Sequence, residues 1–546
     1  MGYDTIADAA QALRDGDITS VALVEDAFTT ADAVDGALGV FLRRFDDTAY
    51  EAAEKADAEL VAGIDRGPLH GIPLGIKDIL ATIEAPATAQ SLVLDAGWSH
   101  QLTDAPVVAR LRNAGGIVLG KTTTNEFAIG YPDPAKPFPI PRNPWNLAHS
   151  PGGSSAGTGA GVPVGMFLGG LGTDTGGSVR MPAAFCGITG LKATFGRVPK
   201  SGCAPLAYTM DGIGPMARSA RDCALMLSVM AGIDASDPYC ADEPVDDYAA
   251  GLTGDLSGVR IGVDRTSWEK GPVDPAWPAV YAAAVAVLLE AGATVVEIEL
   301  PLYEELVTAQ WITMAAEAAA YHRPDLGGRW SDYGVGARNY FAGGATYSAM
   351  DYIQAQRIRR YGQRLVAELF ATCDLVVDPA STMPAWRIAD FDPLRPMGAP
   401  SGLHTQYWNS VGNPSLSVPI GFTADGMPLG MQINGRPWED ALVLRAGDAF
   451  QRRTDWHLRR PPLDVLTGAV VPRFPSPTDP YEASTVDAEV AAIRHLLAES
   501  GITPDERELL GIAEGSFRNR SAAAALYAVP GARYEEPALS WTARAL

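Results

Sequence analysis

The first 60 residues of the chain carry apolar side chains at three- and four-residue spacing. Ala, Leu and Val recur in this way through ADAAQALRDG and SVALVEDAF, and such spacing is typical of amphipathic helices. Thr19 and Ser20 precede the second apolar run and are suitable helix caps. We therefore predict two or three helices within residues 4–62, forming a helical hairpin that covers a sheet.

From residue 67 onwards, short apolar runs alternate with helical segments. Residues 72–76 predict a buried strand that ends in Lys77 and Asp78, and residues 104–131 predict a helix, a glycine turn, a strand and a loop. This alternation predicts an α/β fold, in which a sheet is layered with helices. The elements predicted further along are a strand at 259–265, a helix at 276–291, a strand at 294–300, a long helix at 351–371, a central strand at 374–381, a strand–turn–strand pair at 413–437 and a last helix at 439–453.

Three segments depart from this alternation. Residues 302–350 are rich in Trp, Tyr, His and Gly without a clean period, so we predict a substrate-facing insertion there, with the loop from His404 to Trp408 as a second part of the pocket. Residues 461–481 hold many prolines and predict an extended linker. Two helices with threonine caps are predicted beyond it. The chain is thus divided into a main domain (1–460), the linker and a helical appendage (482–546).

Composition and charge exclude several classes of function. The 546 residues are 47% hydrophobic and 20% charged, which is typical of a globular protein, and the formal net charge of −23 leaves no general basic surface for nucleic acid or an anionic membrane. Five cysteines without a C-x-x-C pair and seven scattered histidines indicate neither a disulfide framework nor a metal site. The polar N-terminus lacks the features of a secretion signal, so we expect a cytoplasmic enzyme with a small-molecule substrate and no cofactor.

Glycine is concentrated between residues 151 and 182, where two Gly-Gly-Ser steps end at Ser154 and Ser178. Glycines at this density lose conformational freedom on folding, which is justified where the backbone must turn tightly or approach another group. Backbone N–H groups are exposed on such bends, and they can bind a developing negative charge. The segment therefore predicts a nucleophile beside an anion-binding nest.

Three kinds of chemistry are compatible with these serines. The run from Gly153 to Gly157 matches the G-x-S-x-G elbow of an α/β hydrolase, although a loop precedes it where the elbow requires a strand. A phosphate-binding loop is the second, but neither of its glycine patterns is present. In the third, Ser178 attacks, Ser154 relays its proton and Lys77 is the base, provided that burial lowers the pKa of the lysine. Against this, Lys77 could simply pair with Asp78 or with another acidic residue at a sheet edge.

The segment from Gly152 to Thr194 strongly resembles the signature of the amidase signature family, with its GTDTGGS core and FCG-x-x-G-L-K tail. GPLHGIPLGIKD, RNPW, NEF and the stretch from GNPSLSVPIGF to RPWED resemble further motifs of that family, so the resemblance covers about residues 4–460. It implies a central twisted mixed β-sheet covered on both faces by helices. It also implies that members hydrolyse amides, and sometimes esters or carbamates, through an acyl-enzyme.

The resemblance also assigns roles to residues. Lys77 matches the catalytic lysine, Ser154 matches a bridging serine that follows a cis peptide bond, and Ser178 matches the acylated serine. The oxyanion hole would be formed by the backbone of residues matching the same motif, namely Thr175, Gly176, Gly177 and Ser178.

Further residues near the serines receive structural roles. We expect Asp174 and Arg180 to hold the glycine loop by charge-assisted hydrogen bonds. We expect Cys186 to act as a small buried hydrophobic residue, and His149 to pack within its loop. Ser155 either bonds to the relay or stabilises the turn.

Two functions follow from the resemblance. The first is an amide hydrolase that works alone on a small-molecule amide, and the second is the A-type component of a tRNA-dependent amidotransferase, which passes ammonia to a partner. The acidic charge argues against direct contact with tRNA. Residues 482–546 loosely resemble the small helical companion subunits of some amidases, so we expect them to pack on the enzyme or on a second protomer, which leaves a homodimer open.

Overall fold

The computed structural model describes residues 2–94, 98, 103–264, 267–269, 271–391, 402–472 and 487–538. Within these ranges, eleven strands form one sheet, in the order β1-β3-β2-β4-β6-β5-β10-β11-β9-β7-β8. The strands are β1 Phe41–Arg44, β2 Pro73–Lys77, β3 Ile117–Thr122, β4 Gly169–Asp174, β5 Thr189–Lys192, β6 Gly212–Ala217, β7 Arg260–Asp264, β8 Thr294–Ile298, β9 Leu375–Pro379, β10 Ser415–Phe422 and β11 Pro428–Gly435.

The sheet is mixed, and helices flank it. Strand β2 runs parallel to β3 and β4, and β7 runs parallel to β8 and β9, whereas the remaining pairs are antiparallel. The helices are α1 Ile6–Asp15, α2 Ser20–Leu38, α3 Asp46–Val61, α4 Pro106–Asn113, α5 Ala156–Val164, α6 Arg180–Cys186, α7 Ala220–Met230, α8 Trp277–Glu290, α9 Tyr303–Leu326, α10 Val335–Gly344, α11 Ala349–Leu369, α12 Gln406–Val411, α13 Asp440–Gln451, α14 Leu463–Leu466, α15 Asp487–Glu499 and α16 Glu506–Leu526. The predicted α/β fold is therefore confirmed.

Parallel pairing of β2 and β4 determines where the chemistry lies. The carboxyl ends of parallel neighbours meet at the same edge of a sheet, so the end of β2, at Lys77, comes beside the end of β4, at Thr173 and Asp174. Helix α5 begins just after the first Gly-Gly-Ser step and α6 just after the second. Both steps are thereby placed next to Lys77.

The segment predicted as a substrate-facing insertion, whose sequence shows no clean period, is mostly helical. Residues 302–350 form α9 and α10, and α9 alone is 24 residues long. Helix α9 packs against α10, α11, α12 and α16. Because apolar positions are required on several sides, the single stripe that would reveal an amphipathic helix is absent.

Two short strands near the site were not anticipated from the sequence. Strand β5 follows helix α6, and β6 pairs with both β4 and β5. All four residues of β5 and five of the six residues of β6 are buried, so neither shows the alternation of a half-buried strand.

The two helices predicted within 482–546 are present as α15 and α16. Helix α16 packs on α9, α10 and α11, and Arg338 of α10 donates to Glu508 of α16 over 2.7 Å. Asp505 caps α16 in a capping box with Glu508, so the expected threonine cap is wrong for this helix. Part of the predicted linker forms helix α14, and residues 473–486 lie outside the described residues. The division into domains stays a prediction.

In the described part of the chain, no helix is long and apolar enough to cross a membrane.

Candidate active site

The Lys77 side chain ends among three hydroxyl groups. Its Nζ lies 2.8 Å from Ser154 Oγ, 3.0 Å from Ser155 Oγ and 2.7 Å from Thr173 Oγ1, and the side chain is fully buried. The alternative pairing with Asp78 is wrong, because Asp78 faces Lys121 at 3.2 Å. The amine of Lys77 thus has hydroxyl groups as its hydrogen-bond partners.

Burial changes the protonation of this amine. Desolvation lowers the pKa of Lys77 to about 7, and nearby Cys203, Asp174 and Asp211 offset this only in part. A lysine with a pKa near 7 is substantially neutral at physiological pH and can accept a proton. The sequence analysis required burial to lower the pKa of a lysine base, and Lys77 meets this condition.

Ser154 follows a cis peptide bond from Gly153, as the resemblance implied. Its carbonyl accepts a hydrogen bond from Asn125 N at 3.2 Å. Of the three residues whose hydroxyl groups contact Lys77, Ser154 is the one that also lines a cavity. Ser155 is fully buried, and its hydroxyl contacts Lys77 and the carbonyl of Thr173. Ser155 is therefore placed to hold the amine of Lys77 in position. A bend precedes Ser155 where the G-x-S-x-G elbow of an α/β hydrolase requires a strand, and this argues against that elbow.

Ser178 lies between β4 and α6 and is half-buried. Its backbone carbonyl accepts from Ser155 N at 3.2 Å, which joins the two Gly-Gly-Ser steps. Its hydroxyl makes no hydrogen bond among the described residues and borders the same cavity as Ser154. The second serine is thus accessible from the cavity while the lysine behind it is not.

A buried ion pair holds the second glycine loop, as the sequence predicts. Arg180 Nε donates to Asp174 Oδ2 at 3.0 Å, and Asn409 Nδ2 donates to Asp174 Oδ1 at 2.8 Å. Burial alone would raise the pKa of Asp174, but the guanidinium and these hydrogen bonds lower it below its usual range. An ionised carboxylate can therefore accept backbone N–H groups from the loop.

One of these backbone donors is Gly177, and this changes the expected oxyanion hole. Gly177 N donates to Asp174 Oδ1 at 2.7 Å, so its N–H is engaged inside the protein and the expectation that it is free is wrong. The N–H groups of Thr175, Gly176 and Ser178 have no acceptor among the described residues. Gly176 and Ser178 also line the cavity, and they are the better candidates for donors to an oxyanion.

The cavity above the serines has a volume of about 150 Å³, and its walls are mostly apolar. Of the described residues that line it, none carries a charged side chain. Helix α9 supplies Trp311 and Met314, as expected for 302–350, whereas Trp386 and Phe391 lie in a segment that the sequence did not single out. No group of three or more metal-ligating side chains occurs among the described residues.

The loop from His404 to Trp408 contributes only one side chain to the cavity. Gln406 lines it, and the Oε1 of this side chain, which is 6% exposed, makes no hydrogen bond with the described residues. His404 instead bonds to Tyr303 through Nδ1 at 2.6 Å, and Tyr407 and Trp408 belong to the core. The expected pocket loop is correct for Gln406 and wrong for the other four residues, which do not line the cavity.

Cys186 and His149 match the structural roles expected of them. Burial raises the pKa of the Cys186 thiol well above its ordinary value, and its Sγ contacts the carbonyl of Pro151 at 3.3 Å. His149 pairs through its backbone with Asn143 and contacts none of the three candidate catalytic side chains.

Comparison with known proteins identifies relatives over most of the chain. The family model described as Amidase matches residues 22–444. A glutamyl-tRNA(Gln) amidotransferase component of Roseiflexus sp. (strain RS-1), the A-type polypeptide of that enzyme, is 40% identical over 487 residues, covering 84% of this chain and 98% of the relative. An amidase of Pseudomonas putida is 37% identical, with 84% and 98% covered. The solved structure of a peptide amidase with the competitive inhibitor chymostatin is 31% identical and superposes with a TM-score of 0.73 over 84% of this chain and 98% of that one.

Proposed function

This chain belongs to the amidase family, and we propose that it hydrolyses an uncharged carboxylic amide through an acyl-enzyme on Ser178. Lys77 is the base and Ser154 the relay. The observation that carries the proposal is the uncharged cavity, which borders both serines and has a buried amine with a pKa of about 7 behind them. Such a constellation fits the activation of a hydroxyl nucleophile by an adjacent base.

The hydrogen bonds around Lys77 support a direction for the relay. A neutral amine has two N–H donors and one lone pair, so one of its three hydroxyl partners must donate to it. The Ser155 hydroxyl is directed at the carbonyl of Thr173 at 3.3 Å, which leaves the hydroxyls of Ser154 and Thr173 as donors to the lysine. Of these two residues, Ser154 is the one that lines the cavity beside Ser178. Ser154 can then accept the proton of Ser178 once substrate brings the two hydroxyls together, since catalytic hydrogen bonds commonly tighten only in the complex.

The reaction then proceeds in two halves. Ser178 Oγ attacks the carbonyl carbon of the amide, and the resulting oxyanion is stabilised by the N–H groups of Gly176 and Ser178. The proton held on Lys77 returns through Ser154 to the leaving nitrogen, and the C–N bond breaks. Water then attacks the acyl-enzyme along the same proton path, which releases the acid and restores Ser178.

The cavity walls support a substrate class. A charged acyl group would lose its hydration without gaining a counter-ion from the described lining residues, and this costs several kcal/mol. Trp311, Trp386, Tyr131 and Phe391 offer aromatic surface, and Tyr131 and Phe391 stack with centroids 3.9 Å apart. An amide with an apolar or aromatic acyl group fits these walls best.

A second candidate function is supported by the relatives. The chain is 40% identical to the A-type polypeptide of an amidotransferase across 98% of that protein, so ammonia released at Ser178 could be destined for a partner protein. The same serine chemistry would serve both functions. They differ in whether the isolated chain turns over.

The deciding experiment uses the purified full chain with a neutral aromatic primary amide, without ATP, tRNA or a second protein. Hydrolysis predicts release of acid and ammonia in equal amounts, and the Ser178→Ala variant is the matched control for contaminating activity. The isolated chain is also tested on a panel of anilides, fatty amides, carbamates and dicarboxylic monoamides. If it turns over none of them but becomes active once a partner protein is added, the second function is established instead.

A further inference from the structure

We propose that Gln310, on helix α9, is a positioning residue that orients the Gly176 N–H toward the oxyanion. The inference deepens the proposed function, since it concerns how the site stabilises its tetrahedral intermediate. Gln310 does not line the cavity, and its side chain is fully buried behind the glycine loop. It acts through the backbone of that loop.

The first observation is the contact itself. Gln310 Nε2 donates to the carbonyl of Thr175 at 3.1 Å, and a methyl group placed on Gly176 would lie 2.9 Å from the same nitrogen. In a trans peptide the C=O and the following N–H point in opposite directions. Because Gln310 holds the Thr175 carbonyl on the side away from the cavity, the Gly176 N–H is directed to the cavity side.

The next two peptides of the loop show which of its other N–H groups are engaged within the protein. Thr405 Oγ1 donates to the carbonyl of Gly176 at 2.7 Å, while the N–H of the same peptide, on Gly177, donates to Asp174. Both ends of that peptide are therefore engaged within the protein. The next carbonyl, of Gly177, accepts from Met181 N at 2.7 Å, and the N–H that follows it, on Ser178, has no acceptor among the described residues.

Two N–H groups that border the cavity, those of Gly176 and Ser178, are thus left as donors for the oxyanion. Different contacts fix the orientation of each. The Ser178 donor is fixed by the first turn of helix α6, through Met181, and so by backbone alone. The Gly176 donor is fixed by a side chain from another helix. Its orientation is thus the one that a single substitution can release.

The cost of burying Gln310 separates a positioning role from a structural one. Its Oε1 is buried without a hydrogen-bond partner in the described ranges, and the remaining contact of Nε2, with Met314 Sδ at 3.5 Å, is a weak one. An apolar residue of similar volume removes this unpaired acceptor, which is stabilising, but it also leaves the Thr175 carbonyl without its donor, which is destabilising. Because the two effects oppose each other, we expect stability to stay close to that of the wild type, whereas catalysis should fall.

The test compares Gln310→Leu and Gln310→Met with the wild-type chain. Both variants remove the donor at nearly constant volume. Gln363→Leu is the matched control, because Gln363 is similarly buried on α11 and its Nε2 makes no hydrogen bond within the described part of the chain. We expect kcat on an aromatic amide to fall about 10- to 100-fold, with KM changed less than about threefold and with an unchanged unfolding midpoint. The control should retain wild-type kcat.

A second readout does not require turnover. An aryl boronic acid forms a tetrahedral adduct with the Ser178 hydroxyl and places an oxygen where the oxyanion would lie. The matching benzylic alcohol has no electrophilic centre, so it serves as the isostere that binds without an adduct. The Gln310 variants should lose boronate affinity by the same factor as kcat and keep the affinity for the isostere. Boronate affinity within about twofold of wild type, or a loss that follows unfolding, overturns the inference. Failure of the wild type to hydrolyse any amide overturns only the proposed hydrolase, since boronate binding still reports on Gln310.

Discussion

At the scale of single residues, the environment of Lys77 explains why its pKa is low. Two carboxylates act on its charge, and both have other partners: Asp174 is paired with Arg180, and Asp211 accepts from Thr175 Oγ1. The direct partners of the amine are hydroxyl groups, which form hydrogen bonds with it but carry no negative charge to stabilise its protonated form. Burial therefore dominates, and it favours the neutral amine.

The pKa of Lys77 predicts the pH dependence of activity. Only the neutral amine can accept a proton, so kcat/KM should fall about tenfold for each pH unit below about 7 and level off above it. A pH–rate profile on a neutral amide, which does not titrate itself, measures this directly. Lys77→Arg keeps the positive charge and removes the base, so it should be inactive across the whole profile. An activity that is independent of pH between about 5 and 8 would contradict the assignment.

Gln406 predicts a second residue effect, on substrate preference. Its Oε1 lies at the apolar cavity without a hydrogen-bond partner among the described residues, so a polar group of the substrate can satisfy it. Gln406→Leu should lower kcat/KM about tenfold for amides with a second amide or hydroxyl group in the acyl part, and change it less than about twofold for purely aromatic amides. A parallel effect on both substrate classes would show that Gln406 has no role in recognition.

The sequence indicated the three candidate catalytic side chains better than the walls around them. Lys77, Ser154 and Ser178 lie in local motifs, and the proposed chemistry needs those residue types. Trp386 and Phe391 are brought to the cavity only by tertiary packing, from a segment without a recognisable motif. The occupied N–H of Gly177 was also invisible, because it depends on the peptide orientation around Asp174.

At the scale of elements, helices with one exposed face were predictable and helices with several partners were not. Helix α2 begins after Thr19, which caps it as predicted, and most of its buried apolar residues belong to one hydrophobic cluster. Helix α9 is packed on several sides by α10, α11, α12 and α16, so its composition shows no stripe. The helix that supplies Gln310 and Trp311 was consequently the hardest to recognise.

The contact between α10 and α16 predicts how firmly the C-terminal helices are held. Glu508 is nearly buried and accepts from Arg338 and, at 3.1 Å, from Trp330 Nε1. Breaking a mostly buried pair leaves an uncompensated charge, so Glu508→Ala should lower the free energy of unfolding by about 2 kcal/mol. Glu506→Ala on the same helix breaks an exposed pair with Arg494 and should change stability little. Urea unfolding measures the free energy of unfolding of both variants. Equal losses would mean that the buried pair contributes no more to stability than the exposed one.

At the scale of the whole molecule, the C-terminal helices and the candidate active site share helix α9. One side of α9 carries Trp311 and Met314 into the cavity and Gln310 onto the glycine loop, and α16 packs on the same helix. Residues of α15 and α16 also join the main hydrophobic core, among them Leu497, Leu509 and Ile512. The helices are therefore continuous with the packing that positions the site.

This continuity predicts the effect of removing them. A chain that ends at residue 472 exposes the apolar surface that Leu509 and Ile512 cover, so its melting temperature should fall by several degrees, and kcat/KM should fall with it because α9 loses support. The matched control is the full chain with a protease site inserted within 473–486, since after cleavage the helices should stay bound by packing and activity should persist. Measured mass, melting temperature and kcat/KM compare the two. If the truncated chain keeps the wild-type melting temperature and kcat/KM, α9 is held by the main domain alone, and the C-terminal helices act neither on the site nor on stability.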